Sequence, residues 1–183
     1  MKYRIAVLIG SLRKGSFNRK TALNMMRLAP DNLEMEIVEI GQLPMYNEDL
    51  ETENPPKEWV DFREKIKSFD GVFLFTPEYN RSVPAVLKNA LDVGSRPPGR
   101  SVWNGKPTAV SSASGSGISG AIANHTLRQS LVFLNMPVMQ QPEIYLGHAD
   151  KLFDENGKVV EASEGFFKKV IESYAEWVNK ILN

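Results

Sequence analysis

The 183-residue sequence contains no cysteine and only two histidines, His125 and His148. It can therefore form no disulfide, no zinc–thiolate site and no thiol nucleophile, and two imidazoles are too few for a typical metal cluster. No metal site is expected, and both histidines read as surface or interface polarity. An excess of charge of either sign is also lacking: 22 basic residues balance 22 acidic ones. This balance argues against general attraction to nucleic acid or to a membrane surface. No apolar run approaches the roughly 18 residues of a membrane span, and the N-terminus enters a strand-like run with no signal-peptide layout. A cytoplasmic protein is expected. Internal repeats and low-complexity tracts are absent. The two longest irregular stretches, "GQLPMYNEDLETENPP" and "GHADKLFDENGKVVEASEG", read as loops within a single domain spanning 1–183.

What is present alternates between strand and helix. "RIAVLIG" is a continuous apolar run closed by Gly10, the pattern of a strand buried on both faces. "EMEIVEI", "GVFLFT" and "PTAVSSA" are the next three candidates, and "PVMQQPEIYLG", interrupted by Pro142, is a fifth. Helical patterns lie between them. "NRKTALNMMRLAP" aligns Ala22, Met25, Met26 and Ala29, and "PPKEWVDFREKIKSF" aligns Trp59, Phe62, Ile66 and Phe69. "SVPAVLKNALDVG" offers Ser82 as a cap, Pro84 in its first turn and Gly94 as a stop. "ISGAIANHTLRQSLVFL" and "SEGFFKKVIESYAEWVNKIL" complete the set. Such an order predicts an α/β fold with a parallel sheet covered by helices on both faces. Five strands fit the flavodoxin-like order 2-1-3-4-5. Ligands of such sheets sit beyond the carboxyl ends of the strands, which brings together the loops after strands one, three and four.

The first loop, "GSLRKGSFN", suits a small anion. Gly10 and Gly15 permit tight turns and close approach, Ser11, Ser16 and Asn18 add donors, Arg13 adds a phosphate-matching fork, and the helix that starts near Asn18 presents free N–H groups. A glycine-rich connector with a capping serine is the alternative. The loop is not a nucleoside-triphosphate loop, because Ser16 and Phe17 stand where lysine and Ser/Thr are required. G-x-G-x-x-G is absent from this loop too, so a dinucleotide loop is not supported there. In "TPEYNRSVP", Pro77 stiffens the chain, Tyr79 offers a flat face and Asn80 can bond a ring edge. In "SSASGSGISGA", small residues let the backbone lie flat against a planar ligand. One phosphate beside a plane is the shape of flavin mononucleotide, and a chain with no thiol and no metal cluster needs a cofactor for electron chemistry.

At "GSLRKGSFN", "TPEYNRSVPAVLKNALDVGSRP", "GKP", "LRQSLVFLNMPV" and "QPE", the sequence resembles the NAD(P)H-dependent FMN reductase family, and within it the bacterial soluble quinone reductases also described as chromate reductases. The resemblance implies that Ser11, Arg13, Ser16, Phe17 and Asn18 bind the phosphate and ribityl chain of FMN. It implies that Pro77, Glu78, Tyr79 and Asn80 line the flavin ring with Arg81 close by, and that Ser114 is a further contact. It implies NADPH or NADH as co-substrate, quinones and other small acceptors (chromate or azo compounds among them), and a homodimer or homotetramer. The cycle expected from an open flavin face is ping-pong, with no side chain needed as general acid because solvent can supply protons. "LVFLNMPVM", Arg128 and Glu143 are interface candidates; Leu131, Phe133 and Leu134 are equally candidates for the core. Relatives often carry an aromatic or small residue at the position of Arg81, and "SASGSGISG" departs from the methionine-containing loops common among the quinone reductases. Both departures bear on substrate choice. Two other functions remain open: a flavin reductase supplying reduced FMN to a monooxygenase, and a non-enzymatic flavodoxin-type carrier. Carriers of that type are usually strongly acidic, and this chain is neutral.

Overall fold

The computed structural model describes all residues, 1–183. Five strands, β1 (Tyr3–Ile9), β2 (Leu33–Ile37), β3 (Gly71–Thr76), β4 (Thr108–Ala113) and β5 (Ile144–Leu146), form one parallel sheet in the order β2-β1-β3-β4-β5. The helices are α1 (Phe17–Arg27), α2 (Lys57–Lys67), α3 (Ala85–Gly94), α4 (Ala121–Phe133) and α5 (Glu161–Leu182). This is the flavodoxin-like order expected from the sequence.

Side chains alternate across the sheet and divide the core in two. Ile5, Val7, Ile9, Phe73 and Phe75 point to the side covered by α1 and α5. Ala6, Leu8, Val72, Leu74 and Val110 point to the side covered by α2, α3 and α4. Every residue of β3 and β4 is buried, which explains why these strands read as continuous apolar or small-residue runs. β2 lies at an edge and is only partly covered, so it alternates.

Boundaries differ from the sequence expectation where tertiary contacts intervene. β2 ends at Ile37, not Ile40. Helix α4 begins at Ala121, because Ile118–Gly120 are held in turns by Ser116. Ser82 does not cap α3. Pro84 occupies the cap position instead, and Ser82 pairs with Tyr79 in a hairpin. The two long loops are tied down by side chains of the helices. Asn89 on α3 accepts from the Tyr46 N–H and donates to Leu43 and Pro44 carbonyls. Arg63 on α2, itself buried, donates to both oxygens of Glu51 and to the Val93 carbonyl. Asn24 on α1 donates to the Gly157 carbonyl and accepts from the Val159 N–H.

Tyr174 is the main polar contact of the buried face of α5. It is fully buried, and its hydroxyl lies 3.0 Å from the Val72 carbonyl and 3.1 Å from that of Pro107. Burial raises its pKa well above 10.0. The folded protein thus keeps this phenol neutral where the unfolded chain ionises it. That stabilisation is complete below pH 10 and is lost as the pH climbs toward the folded pKa. Tyr174→Phe is expected to lower stability by about 1–2 kcal/mol at neutral pH. The variant should also lose stability less steeply above pH 10. Urea melts at both pH values check this; equal losses for the two proteins at high pH would contradict the assignment.

Candidate functional site

The three loops beyond the carboxyl ends of β1, β3 and β4 meet in one cleft of about 240 Å³, lined by Ser11, Arg13, Phe17, Asn18, Pro77, Glu78, Tyr79, Ala113, Ser114 and Gly115. Eight of the eleven residues singled out in the sequence are among them. The other three, Ser16, Asn80 and Arg81, flank the cleft through their neighbours.

Residues 10–18 leave β1 and turn into α1. A Cβ on Gly10 would lie 2.8 Å from Pro84 and 3.2 Å from Pro77, so glycine is required there for the strand end to pack against the second loop. Gly15 has open space around it. None of the main-chain N–H groups from Ser11 to Asn18 donates to a protein acceptor. Ser16 caps α1: its Oγ accepts from the Arg19 N–H at 3.1 Å. The guanidinium of Arg13 lies over the Phe17 ring, 5.0 Å from its centroid, and pairs with no carboxylate. A run of free amides at a helix N-terminus, with an unpaired arginine in the same loop, is suited to an anion.

Asn18 is buried and plays a part that its sequence position does not disclose. Its amide nitrogen donates to the Ala113 carbonyl (3.1 Å) and its oxygen accepts from the Ala113 N–H (3.2 Å). This clamp fixes the first loop to the third. In the third loop, Ser114 Oγ accepts from Ser116 N–H and Ser116 Oγ from Ile118 N–H, while the amides of Gly115 and Gly117 have no protein partner. His148, on a left-handed backbone (φ 48°), is exposed and borders this loop: a Cβ on Gly117 would lie 3.4 Å from its Nε2.

In the second loop, Glu78 bridges two elements. One oxygen accepts from Ile122 and Ala123 N–H groups (3.0 and 3.1 Å); the other accepts from Arg81 at 2.8 Å. Helix α4 has glycine at its cap and no side-chain cap of its own. Glu78 supplies that cap from 44 residues away. Gly120 permits the close approach: its φ is +71°, and a Cβ there would lie 3.1 Å from Ser112 and 3.6 Å from Glu78. Tyr79 through Ser82 form a two-residue hairpin with both Asn80 and Arg81 in the left-handed region (φ 51° and 62°). Tyr79 is 49% exposed and lies at the cleft's open side.

The cleft is smaller than the roughly 300–1,000 Å³ of pockets that enclose whole ligands. Its volume is that of a site for part of a ligand, with the rest lying outside it. A larger cavity of about 900 Å³ lies between the C-terminal parts of α3 and α4, lined in part by Tyr46, Arg96, Ser101, Asn104, Phe133 and Asn135. None of the three loops reaches it. The interface candidates divide: Leu131 is core, Leu134 packs against the core, and Phe133 is 90% exposed. Arg128 is engaged internally, by Asn124 and the Met139 carbonyl, and Glu143 accepts from Tyr145.

A doubly wound parallel sheet in the order β2-β1-β3-β4-β5, with its loops gathered at the carboxyl edge, defines the flavodoxin-like class. Within it, the chain belongs to the NADPH-dependent FMN reductase family, whose model matches residues 3–151. A quinone reductase of Pseudomonas putida is 56% identical over 176 residues, 96% of this chain and 95% of the relative. A 2-hydroxy-1,4-benzoquinone reductase of a Burkholderia species is 42% identical over 97% of each chain. Among solved structures, a flavoenzyme NAD(P)H:(acceptor) oxidoreductase from Paracoccus denitrificans superposes with a TM-score of 0.90 at 36% identity, covering 97% of this chain and 98% of the other.

Asn18→Ala is expected to leave the Ala113 carbonyl without its side-chain partner, while the Ala113 N–H keeps its place in the β3–β4 ladder. The cost is about 1–3 kcal/mol. Urea melts of the flavin-free protein check this. A loss below about 0.5 kcal/mol, the range of a neutral surface substitution, would show that the clamp is dispensable.

Proposed function

We propose that this chain is a quinone reductase that holds one FMN across the three loops and uses NADPH or NADH as donor. The observation that carries the reading is the run of free amides from Ser11 to Asn18 in the same loop as the unpaired guanidinium of Arg13, beside a third loop with free amides at Gly115 and Gly117. The first loop takes the phosphate: Arg13, Ser11 and the amides up to Asn18 are its donors. Phe17 and Ser16 shape the approach to the ribityl chain, Ser16 through its cap of α1. Pro77, Glu78, Tyr79, Asn80 and Ser114 frame the ring, with Arg81 at its edge. The amides of Gly115 and Gly117, which have no protein acceptor, would donate to the ring's polar edge and favour an electron-rich ring. FMN held there would supply two-electron redox chemistry between a nicotinamide donor and a quinone acceptor. No side chain in the cleft is assigned as a catalytic acid.

The exposed half of the Tyr79 ring and the small residues of 114–120 leave the ring face open to flat acceptors. Donor and acceptor use that face in turn, so exchange is ping-pong. Relatives named as quinone reductases support the acceptor class. The exposed pair Val132 and Phe133 supports self-association into a homodimer or homotetramer. No helix is long and apolar enough to cross a membrane, which accords with work in the cytoplasm on freely diffusing acceptors.

The purified protein is expected to be yellow and to release FMN, identified by mass, on denaturation. Release of FAD, or failure to take up any flavin on reconstitution, would overturn the reading. Initial rates with NADPH and benzoquinone varied together should give parallel lines; intersecting lines would exclude a shared face. Arg13→Ala should weaken FMN affinity roughly 10- to 150-fold through loss of one charge-assisted hydrogen bond. Fluorescence titration of the flavin-free protein measures it, and an unchanged dissociation constant would place Arg13 outside the phosphate site.

A further inference from the structure

The hairpin at residues 79–82 has an unusual composition for its shape. Tyr79 and Ser82 exchange both main-chain hydrogen bonds, at 3.1 and 3.0 Å. Asn80 and Arg81 between them are both left-handed, with φ of 51° and 62°. Two consecutive left-handed residues make a type I′ turn, whose second position is normally glycine. Asparagine tolerates this backbone; arginine carries a steric penalty there. The turn directs the Arg81 side chain back over its own loop, where the guanidinium donates to Glu78 at 2.8 Å.

The charge balance at this point is one-sided. The Glu78 carboxylate is already compensated by the Ile122 and Ala123 amides at the N-terminus of α4. Arg81 adds a full positive charge to a carboxylate that the helix terminus has partly neutralised. Its side chain is 60% exposed, and the remaining guanidinium donors have no protein partner. Exposed apolar surface lies alongside: Tyr79 in the same hairpin and Ile122 at the helix start. A cation at the rim of a flat apolar surface matches a flat ligand with a negative edge.

We propose that Arg81 is a specificity residue that favours planar acceptors bearing an anionic oxygen, such as ionised hydroxyquinones, over neutral quinones. This rests on the reading that a flavin ring lies across residues 77–80. Arg81 is tied to a carboxylate that itself lines the cleft, so on that reading its charge lies close to the ring and within reach of an anionic oxygen on a small stacked acceptor. A pyridine nucleotide carries its phosphates beyond a ribose, farther from the stacked ring.

The test uses FMN-loaded enzyme with NADPH as donor. It compares kcat/KM for 2-hydroxy-1,4-benzoquinone, a vinylogous acid ionised at neutral pH, with that for uncharged 1,4-benzoquinone. Arg81→Gln should lower the anion-to-neutral ratio roughly three- to tenfold, the effect of one partly screened charge at close range. Arg81→Lys should retain most of it. Added salt should erode the ratio in the parent protein and leave it flat in the Gln variant. An equal ratio in the parent and Gln proteins, or a change confined to the KM for NADPH, would overturn the proposal. If the Gln variant loses its flavin, the salt dependence of the parent's ratio decides: a flat ratio overturns the proposal. Flavin content separates the two levels: a parent protein that holds no FMN defeats the reading of the site, whereas a loaded enzyme with no preference defeats only the role of Arg81.

Discussion

The site depends on one pair of hydrogen bonds, those between the Asn18 side chain and the main chain of Ala113. A parallel sheet supplies no ladder partners beyond its last strand residues, so loops at its carboxyl edge must be held by other means. Asn18 fixes the first loop to the third through both polar groups of one residue. Glu78 fixes the second loop to the helix that follows the third. These cross-links make three separate loops into one surface. Because side chains do the holding, main-chain amides of residues 11–18, 115 and 117 remain free for a ligand.

This division of labour refines the role that family resemblance gives to individual residues. Ser16 and Asn18 were expected to donate to a phosphate and ribityl chain. The Oγ of Ser16 accepts the cap bond of α1, and the amide of Asn18 is held at both ends. The donor capacity of the first loop that is not already engaged therefore lies mainly in the backbone and Arg13. A site built on the backbone is set by where the chain runs, so its integrity rests on the cap and the clamp.

The strand order was legible in the sequence because the apolar runs are bounded by Gly10, Thr76-Pro77 and Ala113-Ser114, and because each helix carries an apolar stripe. The location of the cleft followed from that order. Other features were not legible for a physical reason: their partners are distant in sequence. Ala113 lies 95 residues from Asn18, and the amides that Glu78 caps lie 44 and 45 residues away. One signal was available. Helix α4 opens on "SGA", with no capping side chain at the glycine, so its first amides need an acceptor from elsewhere. Ser82 misled because a serine before Val-Pro is an ordinary cap signal, whereas the hairpin that engages it is set by the left-handed pair Asn80 and Arg81.

The central claim is that backbone amides of the first loop, with Arg13, hold the phosphate of one FMN. The most direct measurement is the affinity of the flavin-free protein for FMN and for riboflavin, which has the same ring and ribityl chain and no phosphate. Several charge-assisted hydrogen bonds are at stake, so riboflavin should bind at least about a hundredfold more weakly. Equal affinities would contradict the account, because they would place the binding energy in the ring and leave the free amides of residues 11–18 without a ligand.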